Sequence, residues 1–260
     1  MMKLTAARLV VLTVLVVCAV TVRSQPDEAP DEAELRSALQ GHDMQRKEIT
    51  VYRAALLTAE QLPLRVETIR AVSRELMAMQ RDVERRFRKD PLSVNEGNSH
   101  WEYTRSLTII LVKQQHPAGI DAIAASQPLD LVVFGEAAIP ALIRIARRPE
   151  KDAIVSHMSD ALDALGQILV RHRADLSADS RAQIRQVAAQ RLAETTSNDH
   201  WHILADAAYL AAVTKDPQLM KQVESLVDNE AEFRRRSITE KRWQDQVSQY
   251  ARWGLEEARR

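Results

Sequence analysis

The fold is decided by residues 134–168, which read FGEAAIPALIRIARRPEKDAIVSHMSDALDALGQI. Two stretches with hydrophobic residues three or four positions apart flank a turn at residues 148–152. This spacing places the hydrophobic residues on one face of a helix. The stretch is therefore predicted to form two helices packed back to back, with alanines and Gly166 allowing the helices to approach closely.

This stretch resembles one unit of the HEAT-repeat family, an armadillo-type α-helical repeat. The resemblance rests on the apolar-Pro-Ala-Leu sequence at 139–142, the Asp- and Pro-rich turn, and the Ala-Leu-Gly sequence at 164–166. The arginine often found early in the second helix of such units is absent, because residues 155–157 read Val-Ser-His. Since proline lacks a backbone N–H, we expect Pro140 to bend the first helix. The resemblance implies a solenoid whose curved surface binds partners.

Weaker units of the same kind extend the pattern over residues 98–260. Helices are predicted at 180–195, from 198 onwards, from the Asp-Pro pair at 216–217, and at 238–257. The sequence Asn-x-His-Trp occurs at 98–101 and again at 198–201, and such self-similarity is typical of stacked repeats. In both copies we expect the asparagine to cap a helix, with the histidine and tryptophan packed in its first turn.

The part before residue 98 has a different organisation. Residues 25–34 contain two prolines and five acidic residues, which is typical of a solvated linker. A helix through 35–56, with an interruption allowed near Gly41, and a second helix after Pro63 are predicted to form a helical hairpin over residues 35–90. A short coiled coil is the alternative, but the hydrophobic stripe is too brief to favour it.

Residues 1–24 are interpreted as a secretory signal peptide. Lys3 and Arg8 precede about 14 uncharged, mostly apolar residues, a length that suits a signal better than a membrane span. Because Arg23 next to the cleavage point is unfavourable, an uncleaved N-terminal anchor is the alternative. The single cysteine, Cys18, lies in this segment, so a chain cleaved after residue 24 contains no disulfide. The predicted location is periplasmic or extracellular.

Composition favours an all-α class and gives little information about a partner. The chain of 260 residues has only six glycines and is 4% aromatic, whereas a β-rich chain would need more turn glycines. Its 36 basic and 36 acidic residues balance, and removing residues 1–24 leaves a formal charge of −3. No strong positive field is present, so nucleic acid is not expected as a partner.

The sequence lacks the common catalytic signatures. It has no Gly-rich phosphate loop, no Gly-x-Ser-x-Gly elbow and no His-Glu-x-x-His zinc motif. His200 and His202 are two positions apart, so on a helix their side chains point to different sides. The chain is therefore predicted not to be an enzyme and to hold no metal or cofactor.

Six residues are candidates for contact with a partner. They are three tryptophans and three consecutive arginines: Trp101, Trp201, Trp243, Arg234, Arg235 and Arg236. The four tryptophans of the chain, these three and Trp253, either fill gaps between adjacent repeats or anchor a partner on a concave face, and their exposure distinguishes the two roles. A second basic cluster at 85–89 suits the negative C-terminal end of a helix.

The sequence thus predicts a short right-handed α-solenoid of HEAT-like helix pairs over residues 98–260, preceded by the N-terminal helical hairpin. The predicted function is that of an exported, non-catalytic protein-binding scaffold. Two alternatives are kept. One is a membrane-surface protein held by an uncleaved N-terminal anchor, the only case in which membrane contact is expected. The other is an enzyme or enzyme accessory of the HEAT-like lyase type, as in the phycobilin lyases.

Overall fold

A computed structural model describes residues 29–89, 98–148, 155–195 and 200–260. The predicted signal segment, the first four residues of the acidic linker and the turn that follows Arg148 lie outside these ranges. Within the ranges the chain forms twelve α-helices and no β-strand, so the prediction of an all-α protein is confirmed.

The helices are numbered in chain order. They are α1 Glu32–Gln40, α2 Met44–Leu56, α3 Val66–Lys89, α4 Asn98–Gln114, α5 Ile120–Ser126, α6 Ile139–Ala146, α7 Val155–Arg171, α8 Ala178–Glu194, α9 Trp201–Val213, α10 Pro217–Glu224, α11 Glu230–Arg235 and α12 Lys241–Arg259. Two 3₁₀ segments, Pro117–Gly119 and Pro128–Ala138, precede α5 and α6. The sequence did not predict α5 or α11.

Short polar side chains determine where several helices begin. The Asp43 carboxylate accepts the backbone N–H of Arg46 at 3.1 Å, which starts α2 and separates it from α1 just after Gly41. The Asp216 carboxylate accepts two backbone N–H groups at the start of α10. Such caps satisfy N–H groups that have no partner within the helix.

The first half of residues 134–168 does not form the single bent helix that was predicted. Pro140 lies in the first turn of α6, where a missing N–H costs nothing, so it starts this helix and does not bend it. The residues before it form the 3₁₀ segment Pro128–Ala138, interrupted at Gly135, whose φ of +54° and ψ of −132° are accessible mainly to glycine. The predicted single helix is therefore two elements joined at residue 138.

Four helical segments pack side by side in one row. The 3₁₀ segment Pro128–Ala138 packs on α7, α7 packs on α9, and α9 packs on α12. In addition, α6 packs on α7 and on α8, and α8 packs on α9. Helix α9 is almost entirely apolar, and ten of its thirteen residues are buried, because it has helices on several sides.

Buried or half-buried cationic side chains satisfy the last carbonyl groups of neighbouring helices. Arg191 of α8 donates to the carbonyls of Ala146 and Arg148 at the end of α6, the latter at 2.6 Å. Arg236, which follows α11, donates to the carbonyl of Leu192 at the end of α8 at 2.6 Å. Lys113 of α4 does the same for α2. Since terminal carbonyls have no intrahelical donor, these contacts connect successive helix pairs.

One hydrophobic cluster contains buried residues from Leu35 in α1 to Leu255 in α12. Helices α3 and α4 pack on each other and on α5, which continues the packing into the later part of the chain. The N-terminal helices and the later pairs therefore share a core.

Gly254 is where α12 comes closest to α9, and replacing it by alanine is expected to destabilise the fold by about 2 kcal/mol. A Cβ at this position would lie 2.9 Å from the Ala212 Cβ and 3.0 Å from the backbone of Tyr209, which cannot move aside without separating the helices. Urea unfolding followed by circular dichroism measures the change.

Gly41→Ala is the matched control for this prediction. The nearest atoms to its added Cβ are at 3.4 Å, and its φ of −70° is open to any residue. We expect a change within about 0.5 kcal/mol for the control. If the two substitutions lowered the free energy of unfolding equally, the close contact of α12 with α9 at Gly254 would not be the cause of the loss.

Candidate functional site

Two of the three predicted tryptophans contact each other. Trp201 in the first turn of α9 and Trp243 in the first turn of α12 stack with ring centroids 4.5 Å apart and planes 9° from parallel. The Arg242 guanidinium lies 4.1 Å from the Trp243 ring centroid. Both tryptophans are half-buried against the core, so most of this stack fills the space between two helix starts.

Trp101 lies elsewhere. It is in the first turn of α4, is 58% exposed, and has no ring contact with another aromatic residue of the described part of the chain. His200 occupies the N-cap position of α9 but its side chain makes no cap hydrogen bond. Asn198, the residue expected to cap this helix, lies outside the described residues.

The three consecutive arginines do not form one surface. Arg236 is buried, donating to helix-end carbonyls and contacting the Glu232 carboxylate at 2.8 Å. Arg235 is exposed and pairs with the same carboxylate at 2.5 Å, and Arg234 is also exposed. The two guanidinium groups hold the pKa of Glu232 at about 2. Glu232 therefore neutralises much of this cluster.

A different set of side chains meets on one side of the row α7, α9 and α12. We call it the acidic–aromatic face and define it by Asp160, Asp163, Asp206, Tyr209, Tyr250 and Trp253. Each helix contributes two residues three positions apart, a spacing that puts both on the same side of a helix. Helix packing then brings the three pairs together.

Asp206 lies at the centre of this face. It is only 8% exposed, and its carboxylate contacts the Ser159 hydroxyl of α7, which donates the hydrogen bond. Burial is the main cause that raises the pKa of Asp206 to about 8; the nearby Asp163 and Asp160 act in the same direction, and the serine bond opposes them. Near neutral pH this carboxyl group is therefore mostly protonated.

The pKa values of the two aspartates of α7 are also raised. Burial raises the pKa of Asp160 to about 6, with smaller effects from Asp163 and Asp130. Burial also raises the pKa of Asp163, opposed by a hydrogen bond from Gln167 and by the charge of Arg171. Arg105 is paired with Asp130 at the edge of this face. Within the described ranges no cationic side chain forms an ion pair with Asp160, Asp163 or Asp206.

Aromatic side chains border the carboxyl groups on the α12 side. The Tyr250 and Trp253 ring centroids are 5.2 Å apart with planes tilted by 44°. Trp253 is 48% exposed, whereas Tyr209 and Tyr250 are half-buried. Burial is the main cause that raises the pKa of both tyrosines, so both remain neutral hydroxyl groups near neutral pH. The face thus combines carboxyl groups, phenol hydroxyls and an exposed indole.

The described part of the chain lacks two arrangements that are common in catalytic sites. No group of three His, Cys, Asp or Glu side chains in the described part of the chain is arranged to hold a metal ion. The Ser159 hydroxyl contacts a carboxyl group whose raised pKa makes it mostly protonated near neutral pH, and no described histidine bonds to that serine as an activated nucleophile would require.

No family model, curated protein or solved structure matches this chain. The described residues contain no helix that is both long enough and apolar enough to cross a membrane.

Apart from Trp253, the residues of the acidic–aromatic face were not predicted from the sequence, although one signal was present. Helix α9 reads WHILADAAYLAAV, in which Asp206 is the only charged residue among apolar ones. A lone carboxylate in such a helix must be buried with its neighbours, and buried charges often mark functional sites. The predicted residues Trp201 and Trp243 lie on two of the same helices, at their first turns, whereas Trp101 and the arginines come from other elements.

Proposed function

We propose that this protein is an exported, non-catalytic scaffold that binds a protein partner, and that its helix pairs stack as a HEAT-like α-solenoid. The pairs α6–α7 and α8–α9, followed by α10 packed on α12, support this arrangement. In such an arrangement α7, α9 and α12 would be the second helices of successive units and would line one surface together.

The main support for the proposal is the composition of the acidic–aromatic face. It gathers six polar or aromatic residues from three helices without forming an enclosed cavity or a catalytic constellation. An exposed tryptophan beside half-buried tyrosines provides the type of side chains that contribute most to binding energy in protein interfaces. A scaffold requires an open surface of this kind.

Site-specific photo-crosslinking in the native cells tests the proposed function. Trp253→p-benzoylphenylalanine places the reactive group on the face, and Arg185→p-benzoylphenylalanine places it on the exposed side of α8 as the control. We expect the Trp253 position to crosslink to one predominant protein and the Arg185 position not to do so. Crosslinks that are absent at Trp253, or that are the same at both positions, would contradict the proposal.

A further inference from the structure

We propose that the acidic–aromatic face binds a cationic segment of a protein partner, with Lys or Arg side chains lying against Asp163 and Asp206 and their stems on Tyr250 and Trp253. This inference rests on the proposed function and adds the chemistry of the partner to it.

The first support is an excess of carboxyl groups on the face. Asp163 lies close enough to disfavour the charged form of Asp160, and both residues disfavour the charged form of Asp206. Arg105 is already paired with Asp130, and Arg171 at the end of α7 lowers the pKa of Asp163 without forming an ion pair with it. A cation brought to this face would remove that repulsion, whereas an anionic partner would increase it.

The second support is the incomplete bonding of Asp206. A carboxylate offers about four acceptor sites, yet at 8% exposure this carboxylate receives one hydrogen bond, from the neutral hydroxyl of Ser159. Buried carboxylates are normally paired with a cation or with several donors. The ammonium or guanidinium group of a partner would supply the missing donors.

The third support is the aromatic border. Trp253 remains 48% exposed beside Tyr250, whose hydroxyl group is affected by the charges of Asp206 and Asp163. Cations bind favourably to the faces of tryptophan and tyrosine rings, and the aliphatic stems of Lys and Arg cover apolar surface. The same side chain can therefore contact a ring with its stem and a carboxylate with its head.

The extent of the face favours a polypeptide over a small cation. Neighbouring packed helices have axes about 8–10 Å apart, so a surface running from α7 across α9 to α12 measures about 20 Å. An extended chain advances about 3.3 Å per residue and would cross it in about six residues. A small cation at the carboxyl groups would leave the aromatic border on α12 uncovered.

Fluorescence anisotropy with a labelled nine-residue peptide of alternating lysine and leucine tests the inference, using the purified full chain at pH 8. We expect this peptide to bind and its glutamate–leucine counterpart not to bind. Asp163→Asn and, separately, Trp253→Ala should each weaken binding of the lysine peptide about tenfold or more. Asp245→Asn, which removes an exposed carboxylate from the same helix as Trp253, should leave the affinity within about twofold.

The pH dependence of binding provides a second readout. The titratable groups that face Asp206 are Asp160 and Asp163 from α7 and Tyr250 from α12. Since a bound cation favours the ionised carboxylate, the affinity for the lysine peptide should rise between pH 6 and pH 9 with release of a proton. Asp206→Asn should reduce that rise. Calorimetry in two buffers of different ionisation enthalpy measures the released protons.

The inference is overturned if the lysine peptide does not bind, or if Asp163→Asn and Asp245→Asn affect its affinity equally. A substitution at a buried aspartate could unfold the chain. Trp253→Ala changes an exposed side chain and should leave the fold intact, so it tests the inference in that case too. Circular dichroism identifies that case. Crosslinking at Trp253 without binding of the lysine peptide would reject the cationic partner and retain the proposed function, whereas no crosslinking would count against the proposed function itself.

Discussion

Arg191→Ala is expected to lower the free energy of unfolding by about 4 kcal/mol, because two helix-end carbonyls would lose a charged donor. The Arg191 guanidinium donates to the carbonyls of Ala146 and Arg148, and the residue is only 3% exposed. The substitution would leave these carbonyls without their donor at a site where the space vacated by arginine is largely closed to water. The contact between α6 and α8 would weaken as well.

Arg185→Ala is the matched control for Arg191→Ala. Arg185 lies on the same helix but is exposed, and it pairs with Asp216 at 3.6 Å. Exposed ion pairs contribute at most about 1 kcal/mol, so the control should unfold close to the wild-type denaturant concentration. Urea unfolding of the three proteins under one condition makes the comparison. A loss at Arg191 no greater than that at Arg185 would show that the buried cap contributes little.

Asp206→Asn is expected to remove most of a pH dependence in stability that amounts to about 3 kcal/mol between pH 5 and pH 8. The folded state raises the pKa of Asp206 to about 8 from its ordinary value of 3.8. Each pH unit within that interval corresponds to about 1.4 kcal/mol for a fully shifted single group. Coupling to Asp160 and Asp163 spreads the titration over this range.

The direction of this effect follows from proton binding. Since the folded state holds the proton more tightly than the unfolded state, the stability from Asp206 is fully present below about pH 4 and is lost as the pH rises through about 8. At pH 9 the asparagine variant should therefore be more stable than the wild type, and at pH 5 the two should differ much less. Thermal unfolding at several pH values measures the difference.

Asp245→Asn is the control for this experiment, because it removes an exposed carboxylate paired with Lys241 at 2.7 Å. Its stability should follow that of the wild type across the whole range. A wild-type stability that does not fall between pH 5 and pH 8 would show that Asp206 is not protonated in the folded protein.

The helices were predictable from the sequence wherever local signals were strong. The predicted helix at 180–195 is observed as α8, and the Asp-Pro pair at 216–217 begins α10 with Asp216 as its cap. The interruption allowed near Gly41 is observed between α1 and α2. These features depend on capping and on hydrophobic spacing within a few residues, which the sequence contains directly.

Other local features were not predictable. Pro140 was expected inside a bent helix, but the positive φ of Gly135 and the 3₁₀ segment before it make Pro140 the start of α6. Helix α11, six residues long, has too few residues for a hydrophobic period to be recognised. It is held by Phe233, which is buried in the core. Packing against distant residues determines such short elements.

The sequence by itself determined the all-α class, the start of most helices and the apolar character of α9, because these depend on residues close together in the chain. Only the tertiary structure decided which polar residues became important. Arg236 was one of three similar arginines until helix packing buried it against the end of α8, and Asp206 was one of many acidic residues until α7 and α12 packed beside it. The physical reason is that burial and neighbouring charge, which determine a side chain's role, arise only when helices distant in sequence come together.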